Sequence, residues 1–422
     1  MISTKPTSAT IFKKILFTYL IAFVLFLPIT GIVLDDYKLI FHMQRPFVLA
    51  LIATTIMVIF TLIKSISPVT NLKDYYEHYK NKLSYPAPVT ELLSLVSTLV
   101  LIIALIFVPF VISKYGLSVL ILAMIYILLG LGLNIVVGYA GLLDLGYVAF
   151  YALGAYTYAI GTQYFGLSFL LALPLGALIA GLAGTILAFP VLRMHGDYLA
   201  IVTLGFGEII RIVLNNWTSL TNGPNGIITE NPSLFGLEFS RVASPGNIPF
   251  HSYFNISYNS NLKYIFIYLI LLLCLILVVA FAKKVKTMPL GRAWEALRED
   301  EIASNSLGIY HISTKLSAFS IGASIGGIGG VFFAAYQGFV NPSSFTFFES
   351  ALILAIVVLG GMGSILGVII AALTLTVLPE VLREAAHYRM LFFGLIMIVI
   401  MIYKPQGFIK PKRPHFNVDK IT

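Results

Sequence analysis

The chain has 422 residues, of which 59% are hydrophobic and only 11% charged, and its formal net charge is +9. Soluble domains carry about 25% charged residues, so a water-soluble fold of this length could not cover its apolar surface, and the composition excludes one. The lone cysteine, Cys274, excludes an intrachain disulfide, and a zinc cluster would need several Cys or His ligands close together.

A membrane-spanning helix needs about 20 mostly apolar residues. Taken in chain order, runs of that kind occupy 11–34, 45–63, 91–113, 117–137, 145–162, 168–190, 197–216, 263–282, 315–338, 350–380 and 388–403. The first follows Lys13 and Lys14, but no A-x-A cleavage site precedes Asp35 and Asp36, so it reads as an uncleaved anchor. The run 350–380 is interrupted by glycines and reads as two shorter helices. The predicted fold is therefore all-α and polytopic, with ten to twelve transmembrane or re-entrant helices. Residues 1–90 hold two leading helices and a linker, and residues 91–422 form the core. A transmembrane β-barrel would show alternating ten-residue segments instead.

The positive charge is an orientation signal, not a nucleic-acid footprint. Of the 27 lysines and arginines, nineteen fall on one side of this topology and eight on the other, which makes the first side cytoplasmic. Both termini then lie inside, the polar segment 217–262 lies outside, and the segment 283–314 lies inside.

Two glycine-rich stretches resemble each other. Ile135–Gly146 and Ile356–Gly367 both begin I-V-V and end Leu-Gly, with Gly138 and Gly141 in one and Gly360 and Gly363 in the other. Glycine weakens a helix by about 1 kcal/mol relative to alanine. Matched interruptions in two halves of a membrane protein point to a translocation path. The competing reading is close helix packing, which is the preferred account of Gly322, Gly326 and Gly330 at four-residue spacing. Ionisable residues at membrane depth are candidates for function; here they are Asp144 and Glu208, with Asn134 as a neutral companion. Two local alternatives stand beside that reading. Arg211 at i+3 would neutralise Glu208, and Asp144 would cap a half-helix.

The inner segment contains Met288–Leu316, charged and helical in composition. Ala293, Ala296, Ala303 and Leu307 share one arc at 100° per residue, together with Asp300, and Gly308 ends the helix. This is either a surface that docks into a partner or a solvated linker. The outer segment carries the turn signal Gly223-Pro224-Asn225-Gly226. No Walker P-loop and no HExxH occur, and the seven histidines are scattered, with His195 between Arg193 and Asp197 as the most polar group.

Longer stretches carry a resemblance. The inner loop resembles the coupling helix, or EAA loop, of ABC importer permeases. Counting back from Gly308, however, Ile302, Ala303 and Ser304 stand at the E-A-A positions, with Glu301 one residue early. The segments GLGLNIVVGYAGLLDLGYVAFYALGAY from Gly130, FPVLRMHGDYLAIVTLGFGEIIRI from Phe189 and NGPNGI from Asn222 extend the likeness. So do MPLGRAWEALREDEIASNSLGI from Met288, QGFVNPSSFTFFES from Gln337, LAIVVLGGMGS from Leu354 and KPQG from Lys404. Together they are similar to the M-type permease family of leucine–isoleucine–valine (Liv) importers.

The resemblance implies a permease that pairs with a homologous permease subunit, two cytoplasmic ATPase subunits and a periplasmic amino-acid-binding protein. ATP and Mg would sit on the ATPases, with no cofactor on this chain, which would reside in a bacterial inner membrane. ATPase coupling falls to Glu295, Ala296, Glu299, Glu301, Ala303 and Gly308. The pore region falls to Asn134, Gly138, Gly141, Asp144, Glu208, Gly360 and Gly363, and binding-protein contact to Gly223, Pro224, Asn225 and Gly226. Alternatives are the same fold carrying urea or a sugar, an ion-coupled secondary transporter and, last, a membrane-embedded enzyme.

Overall fold

The computed structural model describes residues 32–35, 38–41, 103–191, 194, 196–234, 236–241, 248–255, 257–381, 394 and 407–409. Two units divide at Ile103/Ala104. In the first, β1 (Ile32–Asp35) pairs antiparallel with β2 (Lys38–Phe41), joined by Asp36–Tyr37. This corrects the end of the expected helix 11–34. Gly31 weakens a helix there, and a β-branched pair before a two-residue polar loop favours a hairpin. The rest of that helix, the run 45–63, the run 388–403 apart from Gly394, the loop 64–90, the start of 91–113 and His195 lie outside the described residues.

In the second unit residues 104–111 are helical. There follow α1 (Lys114–Leu133), α2 (Val148–Phe165), α3 (Phe169–Val191) and α4 (Asp197–Asn216). Next come α5 (Asn261–Thr287), α6 (Pro289–Glu299), α7 (Glu301–Ser306) and α8 (His311–Gln337). The run 350–380 resolves into α9 (Phe347–Gly360) and α10 (Ile365–Val381), the two shorter helices expected. Among the described residues six helices are long and apolar enough to cross a bilayer, and Ile365–Val377 is a shorter apolar one. α2, with Thr157, Thr162 and Gln163 along it, is not among the six.

α8 is the centre of this unit and packs on α1, α2 and α3. Glycine makes that possible. An added Cβ at Gly154 of α2 would lie 2.0 Å from the Gly327 carbonyl oxygen, and one at Gly327 would lie 2.3 Å from that of Gly176 on α3. Gly322, Gly326 and Gly330 abut Val136 and the Gly132 carbonyl, the Tyr147 ring, and the Tyr151 carbonyl respectively. The four-residue spacing is thus a packing stripe, as expected. Tyr147, fully buried, donates to the Gly322 carbonyl at 2.9 Å across the same seam.

α5, with 27 residues, is about 40 Å long, so the segments flanking it lie at opposite ends of this unit. At one end, β4 (Ser233–Leu234), β5 (Leu237–Glu238) and β6 (Ile248–Pro249) form a small sheet. β3 (Ile227–Ile228) pairs antiparallel with β7 (Phe339–Val340). At the other end stand α6 and α7.

Candidate functional site

α1 does not end in a regular turn. From Asn134 to Tyr139 it widens into a π-helix, with Ala140 N donating to Ile135 O at 3.2 Å and Leu142 N to Val136 O at 3.0 Å. Gly141, at φ +71°, then turns the chain toward α2. The second glycine stretch makes the α9–α10 turn, where Gly361 (φ +100°) and Gly363 (φ +88°) take conformations that side chains disfavour. The first stretch joins α1 to α2, and the second is the turn of the packed α9–α10 hairpin.

The two turns touch. Asn134, 1% exposed, accepts a hydrogen bond from Gly363 N at 2.8 Å through its Oδ1. Gly138 lies so close that an added Cβ would be 2.1 Å from Asn134 Oδ1 and 2.5 Å from Gly363 N. Phe408 and Ile409 back the second turn: Phe408 N donates to Leu359 O at 2.8 Å and Ile409 N to Gly360 O at 3.3 Å. Helix-terminal carbonyls need such partners. Asn134→Ala would leave the buried Gly363 N–H without its acceptor, at a cost of about 1–3 kcal/mol. We expect a lower midpoint of thermal unfolding for that variant, and an unchanged midpoint would mean that Gly363 finds another acceptor.

The loop beyond α5 contains two helices, not the single one expected. Asp300 (φ −160°, ψ 116°) separates them because its carboxylate caps α7, accepting from Ile302 N at 2.8 Å and Ala303 N at 2.9 Å. Ala293 and Ala296 therefore do not share a continuous stripe with Ala303 and Leu307. α6 buries Gly291, Trp294 and Leu297. Trp294 Nε1 donates to Thr314 O at 3.2 Å and Ser317 Oγ at 3.0 Å, pinning α6 to α8. Lys315, 1% exposed, pairs with Glu301 at 2.7 Å and pins α7. Gly308, at φ +83° in open space, ends α7. Glu295 and Ala296 are half-buried, Glu299 and Ala303 exposed. Ile302 and Leu307 project into solvent at 81% and 82% exposure. From α6, Arg298 Nη1 donates to the Gly138 carbonyl, reaching the first turn directly.

Asp144 is fully buried beside that turn, and its Oδ1 accepts from Gly146 N at 2.8 Å, which makes the carboxylate a cap ahead of α2. Glu208 pairs with Arg211 at 2.8 Å along α4, both roughly one-third exposed at 36% and 34%, and its ion pair is with that neighbour, not with a residue of the turns. In the segment 217–262 Gly223–Asn225 form one 3-10 turn, closed by Asn222 Nδ2 donating to Gly226 O at 2.9 Å. Gly223 and Gly226 are buried, so of the four turn residues Pro224 and Asn225 face outward. Beside them a cavity of about 380 Å³ is lined by Gln163, Asn222, Asn225, Ile228, Glu230 and Phe339, among others. Partial burial, followed by the Glu238 carboxylate, raises the Glu230 pKa. Among the described residues no group of three or more His, Cys, Asp and Glu side chains could hold a metal ion.

A family model described as branched-chain amino acid transport system / permease component matches residues 115–401, a span that takes in both turns, α6 and α7. The chain belongs to that permease family. The permease is 52% identical over 332 residues to the high-affinity branched-chain amino acid transport system permease protein LivM of Escherichia coli (strain K12), covering 78% of this chain and 77% of that one. To the protein of the same name from Salmonella typhimurium it is 51% identical over 74% of this chain and 73% of that one. A probable LivM of Methanocaldococcus jannaschii is 25% identical over 58% and 69%. No solved structure matches the permease.

Three residues of the permease escaped the sequence reading as site candidates. Arg298 and Lys315 counted only toward orientation, although one reaches a turn and the other is buried in an ion pair. Glu349, on the candidate span 342–360, accepts from Tyr126 Oη at 2.7 Å; an acid within an apolar run was the available signal. The letters G-x-S-x-G do occur at Gly322–Gly326, but Ser324 sits inside α8 and donates to Ser320 O at 2.8 Å. A nucleophile elbow needs a strand-to-helix turn, so this is helix packing.

Proposed function

We propose that this permease forms half of the membrane pore of an ATP-driven importer of branched-chain amino acids, working with a homologous permease subunit, two cytoplasmic ATPases and a periplasmic binding protein. One observation carries the reading: a likeness to LivM at 52% identity that extends over 78% of the chain. α6 and α7 are the ATPase-docking element, for which Ile302 and Leu307 supply exposed apolar anchors outside the candidate spans. The exposed tip of the Gly223–Gly226 turn is the outer contact for the binding protein, and the Asn134–Gly138–Gly363 junction belongs to the pore region. Both termini are cytoplasmic, and ATP and Mg bind the ATPases while this chain carries no cofactor.

The test is leucine, isoleucine and valine uptake into proteoliposomes holding the complete complex with ATP on the ATPase side. Uptake that persists without ATP under an ion gradient would favour secondary transport. Autoinducer 2 import permeases called LsrC also match, but the one from Yersinia enterocolitica is 29% identical over only 30% of the chain; uptake of another solute and none of these three would move the cargo assignment. Within the docking element, Gly308→Val places a β-branched residue at φ +83°, a conformation costing about 1–3 kcal/mol. We expect fewer ATPase subunits to co-purify with that variant, and unchanged stoichiometry and uptake would remove Gly308 from the coupling element.

A further inference from the structure

We propose that Arg298 is a positioning residue that caps the π-helical end of α1 and thereby holds the α1–α2 turn, so that displacement of the docking helix α6 releases the turn. This deepens the reading of α6 and α7 as the ATPase-docking element and rests on it.

The π segment leaves helix-end carbonyls to be satisfied. Ile135 O and Val136 O receive Ala140 N and Leu142 N. The Gly138 carbonyl receives a guanidinium from another element, 160 residues away in sequence. A cation at a helix C-terminus is favoured by the macrodipole, and a charged donor makes the bond about twice as strong as a neutral one. The surrounding fit is close. An added Cβ at Gly141 would lie 2.7 Å from Arg298 Cγ and 3.3 Å from Arg298 Cα, so the arginine stem lies flat on the turn and only glycine admits it.

What Arg298 holds is coupled onward. The π segment it caps also contains Asn134 and Gly138, which contact Gly363 in the α9–α10 turn. What carries Arg298 is separately anchored: α6 is fixed to α8 through Trp294, and α7 through the Glu301–Lys315 pair. A displacement imposed on α6 and α7 therefore moves the cap away from α1. π segments within helices are frequent at functional sites, and the second arrangement that the proposal calls for is one in which the Gly138 carbonyl loses the guanidinium.

The experiment uses the complete complex in proteoliposomes and compares wild type, Arg298→Gln and Arg298→Lys. The readout is ATP hydrolysed per amino acid imported. A residue that merely stabilises the fold lowers both rates together and leaves this ratio alone. We expect the ratio to rise about tenfold or more in R298Q and to stay within about threefold of wild type in R298K, which keeps a charged donor. An unchanged ratio in R298Q overturns the proposal. If R298Q fails to assemble, Gly141→Ala, which pushes a methyl group into the Arg298 stem, is expected to raise the ratio in the same direction, and no rise overturns the proposal.

A second measurement is independent of cargo. Amide hydrogen exchange over residues 134–146 is expected to be slow in the nucleotide-free wild-type complex, faster in the ATP-trapped one, and fast in both states for R298Q. Identical protection in both wild-type states, or full protection in R298Q, overturns the proposal. Absence of branched-chain amino acid uptake by wild type would instead sink the cargo reading and leave the exchange result to decide on Arg298.

Discussion

Gly154→Val is expected to abolish recovery of folded permease from membranes. The added Cβ would meet the Gly327 carbonyl oxygen at 2.0 Å and its carbon at 2.6 Å. These are backbone atoms of a central helix, so they cannot rotate aside as a side chain would. α2 and α8 would have to separate, and α8 also touches α1 and α3. Overpacking costs about 1–3 kcal/mol in ordinary cores and occasionally more, and this site has backbone on the far side. Between membrane helices there is little hydrophobic drive to compensate, since lipid is as apolar as the interface. Size-exclusion chromatography of detergent extracts reads the outcome. Gly205→Ala on α4 is the control, because nothing lies within 4 Å of its added Cβ. A monodisperse wild-type-like peak for G154V would show that this seam tolerates separation and that the stripe is not what holds the unit together.

Trp294→Ala is expected to release α6 from α8. The side chain is fully buried and its indole N–H has two acceptors, Thr314 O and Ser317 Oγ. Truncating a buried tryptophan costs about 3–5 kcal/mol, but here the loss falls on a local element that can open without unfolding the spans. The signature is therefore faster limited proteolysis across 288–310 and weaker ATPase co-purification, with the membrane core still intact. Trp294→Phe keeps most of the packing and gives up the hydrogen bonds, a loss of about 1 kcal/mol, so it should fall between wild type and alanine. Equal protease resistance in W294A would mean that the Glu301–Lys315 pair alone secures the loop.

Much of the architecture is legible in the sequence. The apolar run 197–216 coincides with α4, and 168–190 differs from α3 by one residue at each end. α5 outruns its predicted segment 263–282 to Thr287, because Lys283, Lys284 and Lys286 continue the helix, the first two of them exposed. α2 begins at Val148, three residues after the predicted start, since Asp144 bonds Gly146 N and holds that stretch as a turn. Hydrophobic transfer and local capping set these features, and both depend on residues near one another in sequence. The Gly308 stop is of the same kind.

Tertiary structure alone decided the rest. Nothing local brings Asn134 to Gly363 across 229 residues, or aims Arg298 at the Gly138 carbonyl. Both contacts join a side chain to the backbone of a glycine, where no Cβ blocks the approach, and which elements meet depends on how the helices pack. Lys315 makes the same point, since the lysine reads from sequence as an orientation charge, whereas in the fold it is buried and paired with the half-buried Glu301. The sequence by itself determined which described segments form long apolar helices, because burial of apolar area is additive along a helix. The packed structure determined which turns touch and what caps them, because those contacts exist only between surfaces that folding brings together.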